Sequence, residues 1–443
     1  MQMLLTGGSG LLGTELRKLG VEFDAPSRDK LDISDAAAVS RYVASSAPGV
    51  IIHAAAVTNN RDIEADPSGA LEVNIKGTAN LAQACLGTRI RLVFLSTDYV
   101  YSGDQGNYVE SDPVLPSNLY AWTKLAGEAA VCAVANHLII RTSFGSPTFD
   151  YAAAFADKWS SKEYVDILAP ELLEAARSPL TGVINIGGAR RTIYDYAVSR
   201  NPDVKKIERN NSQHDSPADT SMSLEKWQSY KNGTGVVRGV TACRVCGSDD
   251  MVRYLDLGML PLANNLAPNA VAARQMQRFP MQVQYCTDCS LSQLSVVVDP
   301  KEMFSHYTYR SSINKGYIRH CREMARSVGA AMGLSDSDLV VDIAGNDGAL
   351  LAEFKDELGV NVLNVDPAKN IAAISESRGI ATINDFWSDD IAEKILAEYG
   401  RPKLITATNV FAHVDDVRGF VAAAKSCLHE QGALMLEFPY GVD

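Results

Sequence analysis

Tyr120 and Lys124 stand four residues apart in the run YAWTK. On a helix, that spacing puts both side chains on one face. A tyrosine so placed can protonate a carbonyl oxygen while hydride arrives at the carbon, and an adjacent ammonium would draw its pKa toward neutrality. The hydroxyl of Thr97, in STDYVYSG, can hold the same oxygen. A second constellation is sulfur: CRVC at 243–246 and CTDC at 286–289, with 39 residues between the pairs. Two-residue spacing brings both thiolates of a pair to one ion, so Cys243, Cys246, Cys286 and Cys289 predict a tetrahedral four-thiolate zinc site that staples a small domain. A third group is LVVDIAGNDG at 339–348, followed by NVLNVD ending in Asp366, and by His413 in NVFAHVDD.

Each group needs elements to hold it. The chain opens with an apolar strand at Met3–Leu5 that runs into TGGSGLLG, where Gly7, Gly10 and Gly13 allow a tight turn and close approach to a pyrophosphate at a helix start. A second strand is expected at Val21–Asp24. Past it, Arg28 suits a 2′-phosphate and NADP(H), whereas Asp24 suits a free ribose and NAD; the residues leave both open and lean to NADP(H). VIIHAAAVTN is a buried parallel strand ending in small residues, Ala54, Ala55 and Ala56, where bulk would block a cofactor. Asn74 lies in the next helix, and RLVFLST delivers Thr97. The polar segment 201–240 reads as the end of the first domain and a linker.

The second half repeats a strand–glycine loop–helix pattern around Gly345 and Gly348. G-N-D-G lacks the three-glycine spacing of a dinucleotide site, which favours a class I methyltransferase fold, where Asp366 would bind ribose hydroxyls of S-adenosylmethionine. Five strands are expected, at roughly 339–343, 361–365, 381–383, 403–408 and 433–438. The sequence stops at LEFPYGVD, so the methyltransferase domain is expected to be incomplete, with an unpaired edge at ALMLEF and reduction without methyl transfer.

Composition agrees with a multidomain soluble enzyme. Residues 1–235 carry 22 Lys/Arg against 27 Asp/Glu, and the remainder 19 against 26, so neither half has the basic footprint of nucleic-acid binding. No apolar run approaches a membrane span, and the N-terminus is not a signal peptide. Cysteine usage fits a reducing cytoplasm, with Cys85, Cys132, Cys321 and Cys427 expected as small apolar core residues.

TGGSGLLG, LDISD, HAAAVTN, STDYVYSG and YAWTKLAGE resemble the extended short-chain dehydrogenase/reductase family, and within it the dTDP-4-dehydrorhamnose reductase branch. The resemblance covers nearly all of residues 1–230. It implies catalysis by Thr97, Tyr120 and Lys124 on a nucleotide-sugar 4-ketone. It also implies cofactor contacts from Gly7, Ser9, Gly10, Leu11, Leu12, Gly13, Arg28, Asp32, Ile33, Ala54, Ala55, Ala56 and Asn74. Two departures stand out: Ala121 replaces the glycine after the tyrosine, and the region after RTSFGSP is short. From CRVCGS to LEFPY the chain resembles the sugar C-methyltransferase family, which joins a zinc-binding domain to a class I fold and methylates carbon 3 of dTDP-4-keto sugars. That resemblance implies active-site roles for Tyr307, Tyr309 and His413, and cofactor contacts from Gly345, Asn346, Gly348, Asp366 and Asn409.

The expected architecture is α/β: an NAD(P)-binding Rossmann domain over 1–235, a small four-cysteine zinc-binding domain over 241–300, and a partial class I methyltransferase Rossmann-like domain over 301–443. The expected function is reduction of a dTDP-4-keto-deoxysugar, fused to a C-methyltransferase-like half. A nucleotide-sugar epimerase or dehydratase of the same family, and a non-catalytic nucleotide-sugar binder, are the alternatives. A nucleotide sugar is the expected partner, with no nucleic acid and no membrane; homo-oligomers stay open.

Overall fold

The computed structural model describes residues 2–209 and 217–439. The chain divides into two compact units. The first comprises Met1–Gly239 with Leu257–Leu260 and Gln277–Met281; the second holds Val240–Asp256, Pro261–Met276 and Gln282–Asp443.

The first unit is built on a five-stranded parallel sheet whose strands run in spatial order Met3–Thr6, Val50–His53, Arg91–Thr97, His137–Thr142 and Gly182–Asn185. These strands are near-continuous apolar runs because helices cover both faces. Leu4, Ile51, Leu92, Phe94 and Ile139 meet Leu81 and Val131 from the helices in one core cluster. The helix Leu119–Val131 carries Tyr120 and Lys124, and it starts where Asn118 Oδ1 accepts the Ala121 amide at 2.8 Å.

One expectation needs correction here. The strand expected at Val21–Asp24 is a single bridge, Leu4 to Asp24, held by Leu5 N–H to Asp24 O at 2.8 Å and Asp24 N–H to Met3 O at 2.9 Å. Pro26 follows at once and supplies no amide to extend the ladder. The polar segment 201–240, expected to close the first domain and lead into a linker, packs on the first unit over most of its described part. Trp227 is buried and donates to Glu171 Oε2 at 2.7 Å, Arg190 pairs with Asp219 at 2.7 Å, and Met222 N–H reaches Ser161 Oγ at 3.0 Å. Polar composition here serves side-chain hydrogen bonds rather than solvation. Residues 210–216 of that expected linker lie outside the described residues.

In the second unit the five expected strands appear as Leu339–Ile343, Asn361–Val365, Ala381–Ile383, Leu404–Thr408 and Ala433–Glu437. They form one parallel sheet with Leu339–Ile343 at its centre. Helix Lys315–Met332 is capped by Asn314 and ends at Gly333, whose φ is 58°. Its Cys321 and Ala325 pack on Leu350 and Phe354 of helix Ala349–Leu358. Among the described residues, Ala433–Glu437 is an edge strand and is half-buried along its length. No described helix is long and apolar enough to cross a membrane.

Candidate functional site

In the first unit the glycine loop turns against the end of the second sheet strand. Gly7 has φ 76°, and a Cβ there would sit 2.6 Å from the Ala55 amide nitrogen. This close packing is why both sides of the turn are small. Ser9, Gly10 and Leu11 are exposed on the loop, whereas Leu12 is buried in the core. Ile33 is also a core residue, and its carbonyl accepts Asn80 Nδ2 at 2.8 Å. Asn74 is fully engaged: Oδ1 accepts the Val57 amide at 2.8 Å, and Nδ2 donates to Val57 O at 2.8 Å and to Thr123 Oγ1 at 2.9 Å. The side chains of Leu12, Ile33 and Asn74 therefore help to shape the fold behind the glycine loop. Asp24 accepts the Tyr42 hydroxyl at 2.8 Å, while Arg28 is exposed and lies 3.7 Å from Asp32.

Thr97 ends its strand; its hydroxyl donates to Asp98 Oδ1 at 3.3 Å, accepts the Tyr99 amide at 3.3 Å, and lies beside the Tyr120 phenol. Burial pushes that phenol well above its ordinary pKa; the Asp98 carboxylate adds to the push, and the Thr97 hydroxyl opposes it. Lys124 lies over the Phe94 ring at 4.0 Å and makes no hydrogen bond among the described residues. Burial draws its ammonium down to about 7, with Glu128 opposing. Burial thus disfavours the Lys124 ammonium, which is turned onto the Phe94 ring. Sequence reasoning passed over Asp98, which is buried and accepts Thr220 Oγ1 at 2.7 Å and Ser160 Oγ at 3.2 Å. It also missed Lys158, which donates to the Tyr99 hydroxyl at 3.0 Å. The acid directly after Thr97 was the available signal.

A depressed lysine has a stability consequence. Between about 7 and the unfolded value near 10.4, the unfolded chain holds a proton that the native chain lacks, so native stability rises with pH across that window. Lys124→Met removes the buried charge. Near neutral pH it is expected to raise the melting temperature of the ligand-free protein by roughly 2–4 °C, with the gain fading toward pH 10. Calorimetry of both proteins across pH checks the sign, and an unchanged or lowered melt at pH 7 refutes it.

The second unit contains a cavity of about 780 Å³ at the C-terminal ends of its three central strands, Leu339–Ile343, Asn361–Val365 and Leu404–Thr408. Asp366 closes one wall: Oδ2 accepts the Asn346 amide at 2.9 Å and Oδ1 the Ala368 amide at 2.8 Å. Burial raises its pKa despite these bonds. Ala344, Asn346 and Asn409 have φ of 52°, 52° and 56°, and all three line the cavity. Left-handed conformations in residues other than glycine are strained and cluster at ligand sites. Gly345 lies on the wall, and a Cβ there would meet Asn364 Oδ1 at 2.5 Å and Asp342 Oδ2 at 2.7 Å. Gly348 packs behind the loop, where a Cβ would meet Ile380 and Ser375.

Tyr307, Tyr309 and His413 all line this cavity. The Tyr307 phenol accepts Asn264 Nδ2 at 2.9 Å, and its backbone is clamped by Asn370 at 3.1 and 2.7 Å. His413 lies 6.1 Å from Phe304, centroid to centroid, and desolvation on its inner side lowers its pKa. Lining residues that the sequence reading did not name include Tyr317, which bonds Thr408 at 3.1 Å, Trp387 and Asp342. Asp342 is buried, accepts Thr406 Oγ1 at 2.7 Å, and is pushed by burial up to about 7.

The four cysteine sulfurs lie within 4.8 Å of one another, with Cys243 to Cys289 at 3.4 Å and Cys246 to Cys286 at 3.5 Å. A tetrahedron with bonds near 2.3 Å needs sulfurs roughly 3.8 Å apart, so the set fits one zinc ion. Each pair sits on a matching turn: Gly247 N–H to Cys243 O at 2.8 Å, and Ser290 N–H to Cys286 O at 3.0 Å. Gly247 and Ser290 follow the second cysteine of each pair, with φ of 82° and 66°.

The first fold and site define a reductase of the extended Rossmann type; the second define a methyltransferase-type unit with a four-cysteine zinc-binding module. Comparison with known proteins agrees. Residues 1–172 match the RmlD substrate binding domain model, 243–304 the zinc-binding domain model Methyltransf_13, and 317–441 the Methyltransferase domain model Methyltransf_23. The dTDP-4-keto-6-deoxy-D-glucose reductase of Streptomyces niveus is 33% identical over 217 residues, which is 44% of this chain and 75% of that protein. The chain belongs to the family of dTDP-4-dehydrorhamnose reductase-like proteins, fused to a sugar C-methyltransferase-like half. C-methyltransferase NovU of Streptomyces niveus is 34% identical over 208 residues, or 47% of this chain and 49% of that protein. A dTDP-4-dehydrorhamnose reductase of Streptomyces griseus is 42% identical over 157 residues, covering 33% of this chain. The chain thus spans about half the length of these last two relatives, 49% and 52%. Among solved structures, a hypothetical dTDP-4-dehydrorhamnose reductase from Sulfolobus tokodaii aligns with a TM-score of 0.45 and 27% identity, over 52% of this chain and 94% of that one.

Proposed function

We propose that the first unit reduces the 4-ketone of a dTDP-linked deoxysugar with NADPH. We propose further that the second unit binds S-adenosylmethionine as the donor site of sugar C-methyl transfer. One observation carries the first reading: a buried lysine that makes no hydrogen bond among the described residues lies one helical turn from Tyr120, on the helix that follows the glycine-loop half of the sheet. A buried ammonium is costly unless a ligand completes it. NADPH would supply hydride; Tyr120 donates the proton to the carbonyl oxygen, Thr97 holds that oxygen, and Lys124 orients the cofactor. Exposed Arg28 faces the 2′-phosphate, since Tyr42 already occupies Asp24. In the second unit Asp366 is the ribose-binding carboxylate, its two amide bonds fixing both oxygens at the cavity wall. Tyr307 and His413 stand on the methyl-acceptor side, where a base and hydroxyl donors are needed to remove a proton alpha to the ketone. We place the domain limits at 1–235, 241–300 and 301–443. Four thiolate ligands and four further free cysteines support a reducing, cytoplasmic setting.

The experiment mixes the full chain with NADPH and a panel of dTDP-4-keto sugars, following absorbance loss and product mass. A parallel reaction omits NADPH and adds labelled S-adenosylmethionine. Reduced product from at least one sugar supports the reductase reading, and label bound or transferred supports the second. No NADPH consumption with any keto sugar refutes the first.

A further inference from the structure

We propose that the cysteine module is a wall of the second unit's cavity: Arg244 and Arg418 are positioning residues that fasten the first cysteine turn to the cavity rim, so that metal occupancy sets how tightly the cavity holds its nucleoside ligand. This rests on reading the cavity as the S-adenosylmethionine site.

Two contacts cross between the turn and the rim. Arg244, inside the first cysteine pair, approaches Asp415 Oδ1 at 3.5 Å. In return, Arg418 donates through Nε to the Val245 carbonyl at 2.9 Å and through Nη2 to the same oxygen. Asp415 lines the cavity together with His413, Asp416, Gly419 and Phe420. Arg418 lies in helix Val417–Cys427, whose first turn is that rim and whose cap, Asp416, accepts the Gly419 amide at 2.9 Å. Moving the Val245 carbonyl therefore moves the helix start, Asp415 and His413 together.

A second attachment lies between the cysteine pairs. Asn264 donates to the Tyr307 phenol at 2.9 Å, and its carbonyl accepts Thr308 Oγ1 at 3.1 Å. Its φ is 61°, a left-handed backbone that asparagine adopts more readily than other residues with a side chain. The module thus reaches the cavity from two sides, at the Asp415 rim and at Tyr307.

The four thiols control the turn that presents Val245. Two sulfur pairs lie 3.4 and 3.5 Å apart, close enough to share one ion, and as thiolates they would repel one another without it. Without the ion the pairs separate, the carbonyl shifts, and Arg418 loses its anchor. Sites depend on supporting contacts at the scale of about 1 Å.

The test measures S-adenosylhomocysteine affinity by calorimetry on the full chain in three forms: zinc-loaded, chelator-stripped, and zinc-loaded carrying R244A and R418A. Expected are losses of about tenfold on stripping and of similar size in the double variant, within the usual range for coupled sites. Elemental analysis should find the double variant still holding one zinc. If stripping unfolds the chain, the zinc-loaded double variant decides alone. Affinity within twofold of the loaded wild type in the double variant overturns the proposal. No binding by loaded wild type overturns the reading of the cavity, and the proposal with it.

Discussion

Tyr120→Phe is expected to cut NADPH-dependent ketone reduction by about 10²–10⁴-fold, the range for loss of a positioned proton donor. The phenylalanine keeps the ring and loses only the hydroxyl that Thr97 approaches. The glycine loop, Ala54–Ala56 and Lys124 are untouched, so NADPH affinity should stay within about threefold, since ground-state binding never used the phenolic proton. The raised phenol sharpens the expectation. Burial and Asp98 hold Tyr120 protonated throughout the neutral range, so the donor is loaded before substrate arrives. Asp98→Asn should then leave the variant's defect in place but ease proton release in the wild-type background, moving the basic limb of the pH–rate profile to lower pH. Stopped-flow absorbance and fluorescence titration with NADPH measure the two quantities separately. Wild-type turnover in Tyr120→Phe would remove Tyr120 from the mechanism.

What was legible in the sequence was local. The cysteine pairs could be read because chelation depends on two-residue spacing, and the strands at 339–343, 361–365 and 381–383 because short apolar runs end there in small or acidic residues. The Tyr120–Lys124 face followed from helical period alone. What was missed depends on distant partners. Asn74 reads as a polar residue facing a cofactor, and its bonds to Val57 and Thr123, 17 and 49 positions away, could not be read. The strand at Val21–Asp24 has the right composition but too little length before Pro26. Residues 217–239 look solvated until Trp227 finds Glu171 and Asp219 finds Arg190. The charge state of Lys124 was equally hidden, because burial against Phe94 is not a property of the YAWTK run.

Zinc removal is the second large effect. Structural four-cysteine sites bind with apparent free energies of about 10–16 kcal/mol at neutral pH, and that energy is folding energy when the apo site is not preformed. Here one side of the ion is held by a turn from Cys243 to Gly247 and the other by a turn from Cys286 to Ser290. The 39 residues between the pairs have few core residues of their own: Val252, Tyr254, Leu255, Leu257 and Leu266 are all exposed. A segment so poor in buried apolar area cannot offset its ordering entropy by packing. Chelation should therefore lower the melting transition of the second unit by on the order of 10 °C or more. Cys246→Ser, which leaves three thiolates, should lie between the stripped and loaded proteins. Acid should mimic chelation, since thiolates must be deprotonated to bind, so the zinc-dependent part of the stability is lost as pH falls. The measurement is a melting scan of native, stripped and reconstituted protein with zinc content determined on each. NADPH consumption by the first unit at 25 °C serves as the internal control. Equal melting of stripped and reconstituted samples would mean that the cysteine turns hold without metal.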